Sequence, residues 1–214
     1  MGDPAIFERL RTGVIKGKRK DVVAACEEGL KGGLRGRDML NDGLLKGMEE
    51  VGKRFRCGDY FIPEVLVSAR ALQAGIDLLR PDLAVNPAAK VGQVLLGTVA
   101  GDLHDIGKNL VGMMLTGAGF EVLDLGIDVA PKKFVETAIE KKVEAVAISA
   151  LLTTTMVNMK EVVEELRKAG FKGKIIVGGA PVTQEFATKI GADLYAADAA
   201  EGAEKLRAAI GVAA

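Results

Sequence analysis

The residues best suited to chemistry lie in one short stretch, residues 101–109, which holds the only histidine of the 214-residue chain. Asp102 stands two residues before His104 in this stretch. A carboxylate can accept a hydrogen bond from one imidazole nitrogen, which fixes the tautomer and makes the other nitrogen a better ligand or base. An isolated loop histidine often only satisfies backbone groups, so the neighbouring elements decide which use applies.

The stretch is positioned by a predicted buried strand over 91–99 and a predicted helix over about 107–118. Further apolar runs predict strands over 121–125, 145–148, 174–177 and 193–195, and helices over about 131–142, 153–169, 183–190 and 199–210. Strands that alternate with helices in this way form parallel βαβ units. We therefore expect a flavodoxin-like or Rossmann-like doubly wound sheet of five parallel strands, with residues 101–107 at the switch point beside the first strand.

The first part of the chain has a different pattern. Apolar residues recur every three or four positions from residue 4 to about 80, which predicts four helices with short connections, the last starting near Pro63. Such helices form a bundle. Pro81 and Pro87 indicate a linker. The predicted domains are a helical bundle over 1–80, a linker over 81–89 and an α/β domain over 90–214.

Composition excludes several functions. The charges balance at 29 basic and 29 acidic residues and tryptophan is absent, which argues against a nucleic-acid-binding surface. No secretory signal or membrane-spanning run is evident, so we expect a cytoplasmic protein that does not bind membranes. Cys26 and Cys57 are expected to be reduced thiols. With so few His and Cys, a structural zinc site cannot form, and a metal bound through His104 must bring its other ligands.

Two other motifs fit poorly. Gly107 and Lys108 suggest a phosphate-binding loop, but Gly101 is one residue too far from Gly107, and Asn109 replaces the hydroxyl that would hold magnesium. The glycine pair in residues 117–119 follows a helix instead of preceding one, which favours a helix end over a dinucleotide site. Neither motif explains His104.

Two later features favour a functional His104. Four hydroxyl side chains follow the third strand, from Ser149 to Thr155, where the predicted topology places them beside the first strand. This is more than a helix N-cap requires. Gly178 and Gly179 follow the fourth strand and permit close approach of a ligand, although a tight turn would also explain them.

Together these features resemble the cobalamin-binding signature DxHxxG…SxL…GG. The first part is formed by Asp102, His104 and Gly107, the second by Ser149 and Leu151, and the third by Gly178 and Gly179. Between Gly107 and Ser149 lie 41 residues, and between Leu151 and Gly178 lie 26, intervals that also fit the family. Residues 55–65, FRCGDYFIPEV, resemble the helical cap of methyl-transferring corrinoid proteins. The chain is thus similar over nearly its whole length to the small corrinoid subunits of methyltransferase systems and to the cobalamin module of methionine synthase.

The resemblance implies a bound cobalamin or related corrinoid between the two domains, with its own benzimidazole base detached and buried. His104 would be the lower cobalt ligand, Asp102 would hold its other nitrogen, and Thr155 would take the place of the serine that completes the proton relay in methionine synthase. Ser149 would contact the buried base, Thr153 the corrin, and Gly178 and Gly179 the nucleotide tail. The other implied cofactor-binding residues are Gly101, Leu103, Asp105, Gly107, Leu151 and Ala199 in the α/β domain and Asn41, Phe55, Ile62 and Val65 in the cap.

The implied function is that of a methyl carrier in one-carbon metabolism, a subunit that does not act alone. A substrate-specific methyltransferase would pass a methyl group to Co(I), and an acceptor-side methyltransferase would move it from methyl-Co(III) to tetrahydrofolate or a thiol. A reductive activating protein would restore Co(I). The alternatives are a cobalamin-responsive sensor, which usually carries an attached DNA-binding or signalling domain, and a flavodoxin-like enzyme that uses His104 as a base without a corrinoid.

Overall fold

A computed structural model describes residues 4–85 and 91–211. The chain divides into two compact units, Met1–Lys90 with Gly117–Gly119 and Val91–Thr116 with Phe120–Ala214. The first contains helices only, and the second contains the sheet. None of the helices described is long and apolar enough to cross a membrane.

The helical unit has the four helical stretches that the apolar spacing predicts. Its elements are α1 (Pro4–Ile15), α2 (Arg19–Lys31), α3 (Gly36–Asp38), a π-helical segment (Met39–Leu45), α4 (Lys46–Cys57) and α5 (Ile62–Val85). The third stretch runs without a break from α3 to α4, because the residues that join its parts have right-handed helical angles. Residues of the predicted apolar stripes are fully buried, among them Leu10, Val14, Val22, Leu44, Val51 and Leu72.

The linker prediction is wrong for residues 81–85, because α5 continues through Pro81 to Val85. Proline inside a helix removes one backbone hydrogen bond. Tertiary contacts offset this loss, since the Asp82 carboxylate accepts a hydrogen bond of 2.7 Å from the Gly36 N–H at the start of α3. Leu79 is fully buried one turn earlier. The rest of the predicted linker, 86–89, lies outside the described residues.

The second unit confirms the predicted sheet of five parallel strands. The strands are β1 (Gln93–Thr98), β2 (Glu121–Asp124), β3 (Ala145–Ser149), β4 (Lys174–Gly178) and β5 (Leu194–Ala196), in the order β2-β1-β3-β4-β5. The helices are α6 (Ile106–Gly117), α7 (Pro131–Lys141), α8 (Thr153–Met156), α9 (Asn158–Lys168), α10 (Gln184–Ile190) and α11 (Ala199–Ile210). Strand positions agree with the prediction to within two residues, whereas the helix predicted over 153–169 is interrupted at Val157.

The strand register explains why distant parts of the sequence meet. Thr98 pairs with Ser149, Ser149 with Gly178, and Gly178 with Ala196, so the last residues of four strands form one row across the sheet. Each strand then leads into a loop at the same edge. The loops that carry the signature residues therefore lie side by side.

Both cysteines are free thiols. Cys26 is fully buried, and burial raises its pKa to about 12, because a thiolate would lose its hydration there. It therefore stays protonated near neutral pH and serves as a small packing residue. Cys57 lies exposed at the end of α4.

Candidate functional site

The centre of the site is the contact between Asp102 and His104 in the loop after β1. Asp102 Oδ1 lies 2.8 Å from His104 Nδ1 and also accepts the backbone N–H of His104 at 3.1 Å. Thr98 Oγ1 donates to the His104 carbonyl oxygen at 3.2 Å, which ties the loop back to the end of β1. The imidazole is thus held both through its ring and through its own backbone.

The second oxygen of Asp102 binds the loop after β3. Thr155 Oγ1 donates to Asp102 Oδ2 at 2.6 Å, and the backbone N–H of Leu151 donates to the same oxygen at 2.7 Å. Leu152 N–H adds a longer contact of 3.4 Å. The structure therefore brings Asp102, His104 and Thr155 into one hydrogen-bonded chain that crosses from β1 to β3.

Asp102 is ionised in this environment although it is fully buried. Burial alone would raise its pKa, but the hydrogen bonds from Thr155, Leu151 and His104 together outweigh burial and hold the pKa of this carboxyl far below its usual range. A permanent carboxylate accepts hydrogen bonds only. When the imidazole is neutral, His104 Nδ1 must therefore carry the proton.

The free end of His104 suits a metal. Its side chain is 50% exposed, and with the proton on Nδ1 the lone pair lies on Nε2. Nε2 makes no hydrogen bond to any residue that the structure describes. No three His, Cys, Asp or Glu side chains within 4–85 and 91–211 converge to hold an ion. This donor set fits a metal that arrives with most of its ligands already in place.

The surface around His104 carries several exposed apolar side chains. Leu103 and Ile106 are both 68% exposed, on either side of the histidine in sequence. Further large side chains that are at least two-fifths exposed are Leu151 and Leu152 in the loop after β3 and Val157 between α8 and α9. Exposed apolar patches of this kind mark binding surfaces. A broad, largely apolar ligand beside the imidazole matches this surface.

Nothing in the described fold explains why residue 107 is a glycine. It lies in the first turn of α6, and a Cβ added there would meet no atom within 4 Å. Its φ is outside the left-handed region, so the backbone does not favour glycine either. Close approach of a ligand would account for it.

The fold itself explains why residue 179 is a glycine. Its φ is 135°, and a Cβ would lie 1.9 Å from the Ala150 carbonyl oxygen. A Cβ on Gly178 would lie 3.0 Å from the Ala196 carbonyl oxygen. The glycine pair is therefore explained by close packing of neighbouring strand ends, and it is weaker support for a ligand than Gly107 is.

The other predicted residues of the second unit lie at the same edge of the sheet. Ser149 ends β3 and is half-buried, whereas Thr153 is exposed at the start of α8. Gly101 has φ of 79°, a conformation that favours glycine. Asp105 is exposed and accepts a hydrogen bond from Asn109 Nδ2. Ala199, by contrast, is buried at the start of α11.

The residues predicted in the helical unit differ in exposure. Asn41 is half-buried within the π-helical segment, a type of distortion that often occurs at functional sites. Phe55 is half-buried and Ile62 is 42% exposed. Val65 is fully buried, so its burial supports a packing role. Phe61, which was not predicted, is more exposed than any of them.

The motif missed several groups that hold the site. Asn158 Nδ2 donates to the Ala100 carbonyl oxygen at 2.8 Å. Lys108 is almost fully buried and pairs with Asp124 at the end of β2. Asp128 accepts a hydrogen bond from the Gly101 N–H. The unusual burial of a lysine could not be read from the sequence, and the side-chain bonds to backbone atoms depend on the folded loops.

Thr155 offers a direct test of this network. Thr155→Val keeps the side-chain shape but removes the donor to a buried carboxylate, so we expect a loss of about 1.5–3 kcal/mol in the free energy of unfolding. Thr155→Ser, which keeps the hydroxyl, should stay close to wild type. Thr154→Val is the matched control, because Thr154 is exposed. Equal urea stability of the two valine variants would contradict the assigned hydrogen bond.

Comparisons with known proteins show the family of the chain. Two family models, each described as a B12 binding domain, match residues 92–207 and 6–80. The chain is 44% identical over 213 residues to trimethylamine corrinoid protein 2 of Methanosarcina acetivorans, covering 98% of both chains. It is also 44% identical over 211 residues to the dimethylamine corrinoid protein of Methanosarcina barkeri, covering 97% of this chain and 98% of that one.

A solved structure is similar over the same span. The methanol:cobalamin methyltransferase complex MtaBC from Methanosarcina barkeri contains a chain with a TM-score of 0.89 and 30% identity, and the match covers 98% of this chain and 81% of that one. The sequence matches reach both units, so the resemblance is not confined to the sheet. The chain therefore belongs to the B12-binding family, among the corrinoid proteins of methyltransferase systems.

Proposed function

We propose that this protein is a methyl carrier whose His104 binds the cobalt of a corrinoid from below, with the cofactor's own base detached. The observation that carries the proposal is the hydrogen-bonded chain from Thr155 through Asp102 to His104, which leaves Nε2 exposed with its lone pair. The apolar surface around the ring and the open space at Gly107 support a broad ligand at that position. The bound corrinoid would supply a cobalt centre that takes up and releases a methyl group.

Asp102 would set how strongly His104 binds. A hydrogen bond from Nδ1–H to a carboxylate increases the basicity of Nε2 and fixes the ring orientation. Thr155 and the Leu151 N–H hold the carboxylate in turn. The same carboxylate would stabilise a proton on Nε2 whenever His104 binds no metal, so the ring would keep its orientation.

The row of strand ends would receive the detached base and its nucleotide tail. Ser149 would contact the base, and Gly178 and Gly179 would leave room for the tail, with Ala199 at its far end. Thr153 is exposed at the start of α8 and would contact the corrin or its side chains. These roles rest on the matched motif together with the shared register of Ser149 and Gly178.

Residues of the helical unit would shield the upper face of the cofactor. Ile62 presents an exposed apolar side chain, Phe55 is half-buried, and Asn41 offers an amide in the π-helical segment. An apolar cover would exclude water from the cobalt. The fully buried Val65 would support this surface from within.

We propose a methylated amine as the methyl donor, because the relatives that match this chain over nearly its full length are named as trimethylamine and dimethylamine corrinoid proteins. A substrate-specific methyltransferase would load the carrier, a role supported by the similarity of this chain to one chain of a methanol:cobalamin methyltransferase complex. An acceptor-side methyltransferase would unload it to a thiol or tetrahydrofolate. A reductive activating protein would restore the reduced cobalt.

The test is a reconstitution. The corrinoid-loaded protein, chemically reduced, is mixed with candidate methyltransferases and a panel of monomethylamine, dimethylamine, trimethylamine and methanol, and methylation is followed by absorbance. We expect methylation with a methylated amine and its own methyltransferase. His104→Ala should bind corrinoid with an altered spectrum and methylate more slowly. If methanol were the only compound of the panel that methylates the protein, the proposed amine donor would be wrong. Failure to bind any corrinoid would contradict the carrier function.

A further inference from the structure

The loop between β2 and α7 holds the histidine loop at its backbone. Asp128 Oδ1 accepts a hydrogen bond of 2.7 Å from the Gly101 N–H, and Asp128 N–H donates to the Asp102 carbonyl oxygen at 3.1 Å. One residue therefore binds the main chain of two consecutive residues of the histidine loop. Asp128 is outside the matched cobalamin signature.

Asp128 adopts a backbone conformation that is rare for its residue type. Its φ is 53°, in the left-handed region, and only Lys142 shares this among the described non-glycine residues. Aspartate tolerates the region better than most residues with a side chain. Such conformations persist where the surroundings fix them, and they cluster at functional sites.

The segment that carries Asp128 is itself fixed at both ends. The Gly126 N–H donates to one carboxylate oxygen of Asp124, and the other oxygen of Asp124 pairs with the buried Lys108. Backbone hydrogen bonds of Thr98 with Gly126 and Val129 continue the pairing with β1 past the end of β2. Asp128 is therefore held rigidly enough to position the residues it contacts.

We propose that Asp128 is a positioning residue for His104, acting through the backbone of Gly101 and Asp102. The Asp102 carboxylate can reach both His104 Nδ1 and Thr155 Oγ1 only if its own main chain is correctly oriented. The two hydrogen bonds to Asp128 fix that orientation. Asp128 thus sets the tautomer of a histidine that it does not touch.

The variants separate the hydrogen bond from the backbone strain. Asp128→Asn keeps an acceptor oxygen for the Gly101 N–H and tolerates the same φ. Asp128→Gly keeps the φ without cost but removes the acceptor. Lys142→Gly is the matched control, because it relieves the same φ of 53° at the end of α7, away from the histidine loop.

The readout uses the single histidine of the chain. Labelling with ¹⁵N-histidine gives an NMR spectrum of His104 alone, and its two ring nitrogens report the tautomer in the cofactor-free protein at about pH 8. We expect the Nδ1–H form in wild type, Asp128→Asn and Lys142→Gly, and a mixture of tautomers in Asp128→Gly. The affinity of Asp128→Gly for added cobalamin should fall about tenfold.

Several results would overturn the proposal. One is an Asp128→Gly protein that keeps the Nδ1–H form, and another is an Asp128→Asn protein that loses it. A tautomer change in Lys142→Gly would show that the effect is not specific. If Asp128→Gly does not fold, Asp128 is a folding determinant and the positioning role is rejected. None of these readouts depends on methyl transfer, so they are distinct from a failure of the carrier function.

Discussion

Asp102→Asn is expected to destabilise the protein and to weaken corrinoid binding at the same time. The wild-type carboxylate accepts hydrogen bonds on both oxygens, from His104 on one side and from Thr155 and Leu151 on the other. An asparagine has only one oxygen, so its NH₂ group must face donors on one of the two sides. Either orientation leaves a buried donor without an acceptor, at a cost of about 1–3 kcal/mol.

The two orientations have different consequences for His104. If the amide oxygen faces the histidine, the Leu151 N–H loses its acceptor. If the NH₂ group faces the histidine, the ring must carry its proton on Nε2, which removes the lone pair needed for cobalt. We therefore expect the affinity for added corrinoid to fall about 10–100-fold. Glu140→Gln, which removes one exposed carboxylate on α7, is the control for charge.

Acid unfolding checks the same carboxylate. Because the pKa of Asp102 is lowered in the folded state, its contribution to stability is fully present above its unfolded pKa of about 3.9 and is lost as the pH falls toward the folded value. Asp102→Asn cannot titrate. The stability difference between wild type and Asp102→Asn should therefore shrink below about pH 4, and a constant difference from pH 7 to pH 3 would contradict the assigned ionisation.

Gly107→Ala, unlike Asp102→Asn, is expected to weaken corrinoid binding without destabilising the protein. Alanine is favoured over glycine in a helix by about 0.5–1 kcal/mol, and the added Cβ meets no atom of the chain within 4 Å. The cofactor-free protein should therefore be at least as stable as wild type. A methyl group that intrudes on a closely packed ligand costs about 1–3 kcal/mol, or roughly a 5- to 150-fold loss in affinity.

Gly101→Ala supplies the contrast within the same loop. Its φ of 79° makes any residue with a Cβ unfavourable, so this variant should lose stability before any ligand is added. Urea unfolding of the cofactor-free proteins and titration with cobalamin separate the two effects. Wild-type affinity in Gly107→Ala would show that no ligand approaches α6 at this point.

Much of the second unit was predictable because most of its strands have an apolar centre and are bounded by turns. The order of the strands places Ser149 beside Thr98, and this adjacency is what makes a chain from Thr155 to Asp102 possible. The motif also identified Asp102 and His104 correctly as neighbours. The hydrogen bond itself, at 2.8 Å, follows from the loop geometry that Thr98 and Asn158 help to fix.

Other features depend on contacts between distant residues and could not be predicted. Pro81 suggested the end of a helix. The helix continues because the Gly36 N–H donates to Asp82, and these two residues are 46 positions apart in sequence. Asp128 had no pattern of its own, and its importance comes from two bonds to the histidine loop. The backbone donor of Leu151 is likewise invisible in a side-chain motif.

The central claim is that His104 Nε2 is the cobalt ligand, and electron paramagnetic resonance of the Co(II) corrinoid protein tests it most directly. An axial nitrogen splits the cobalt signal into triplets when it is ¹⁴N and into doublets when it is ¹⁵N. Because the chain has a single histidine, ¹⁵N-histidine labels His104 alone. We expect the triplets of the unlabelled protein to become doublets on labelling. Triplets that persist would assign the ligand to the cofactor's own base, and an absence of splitting would show that no nitrogen binds the cobalt.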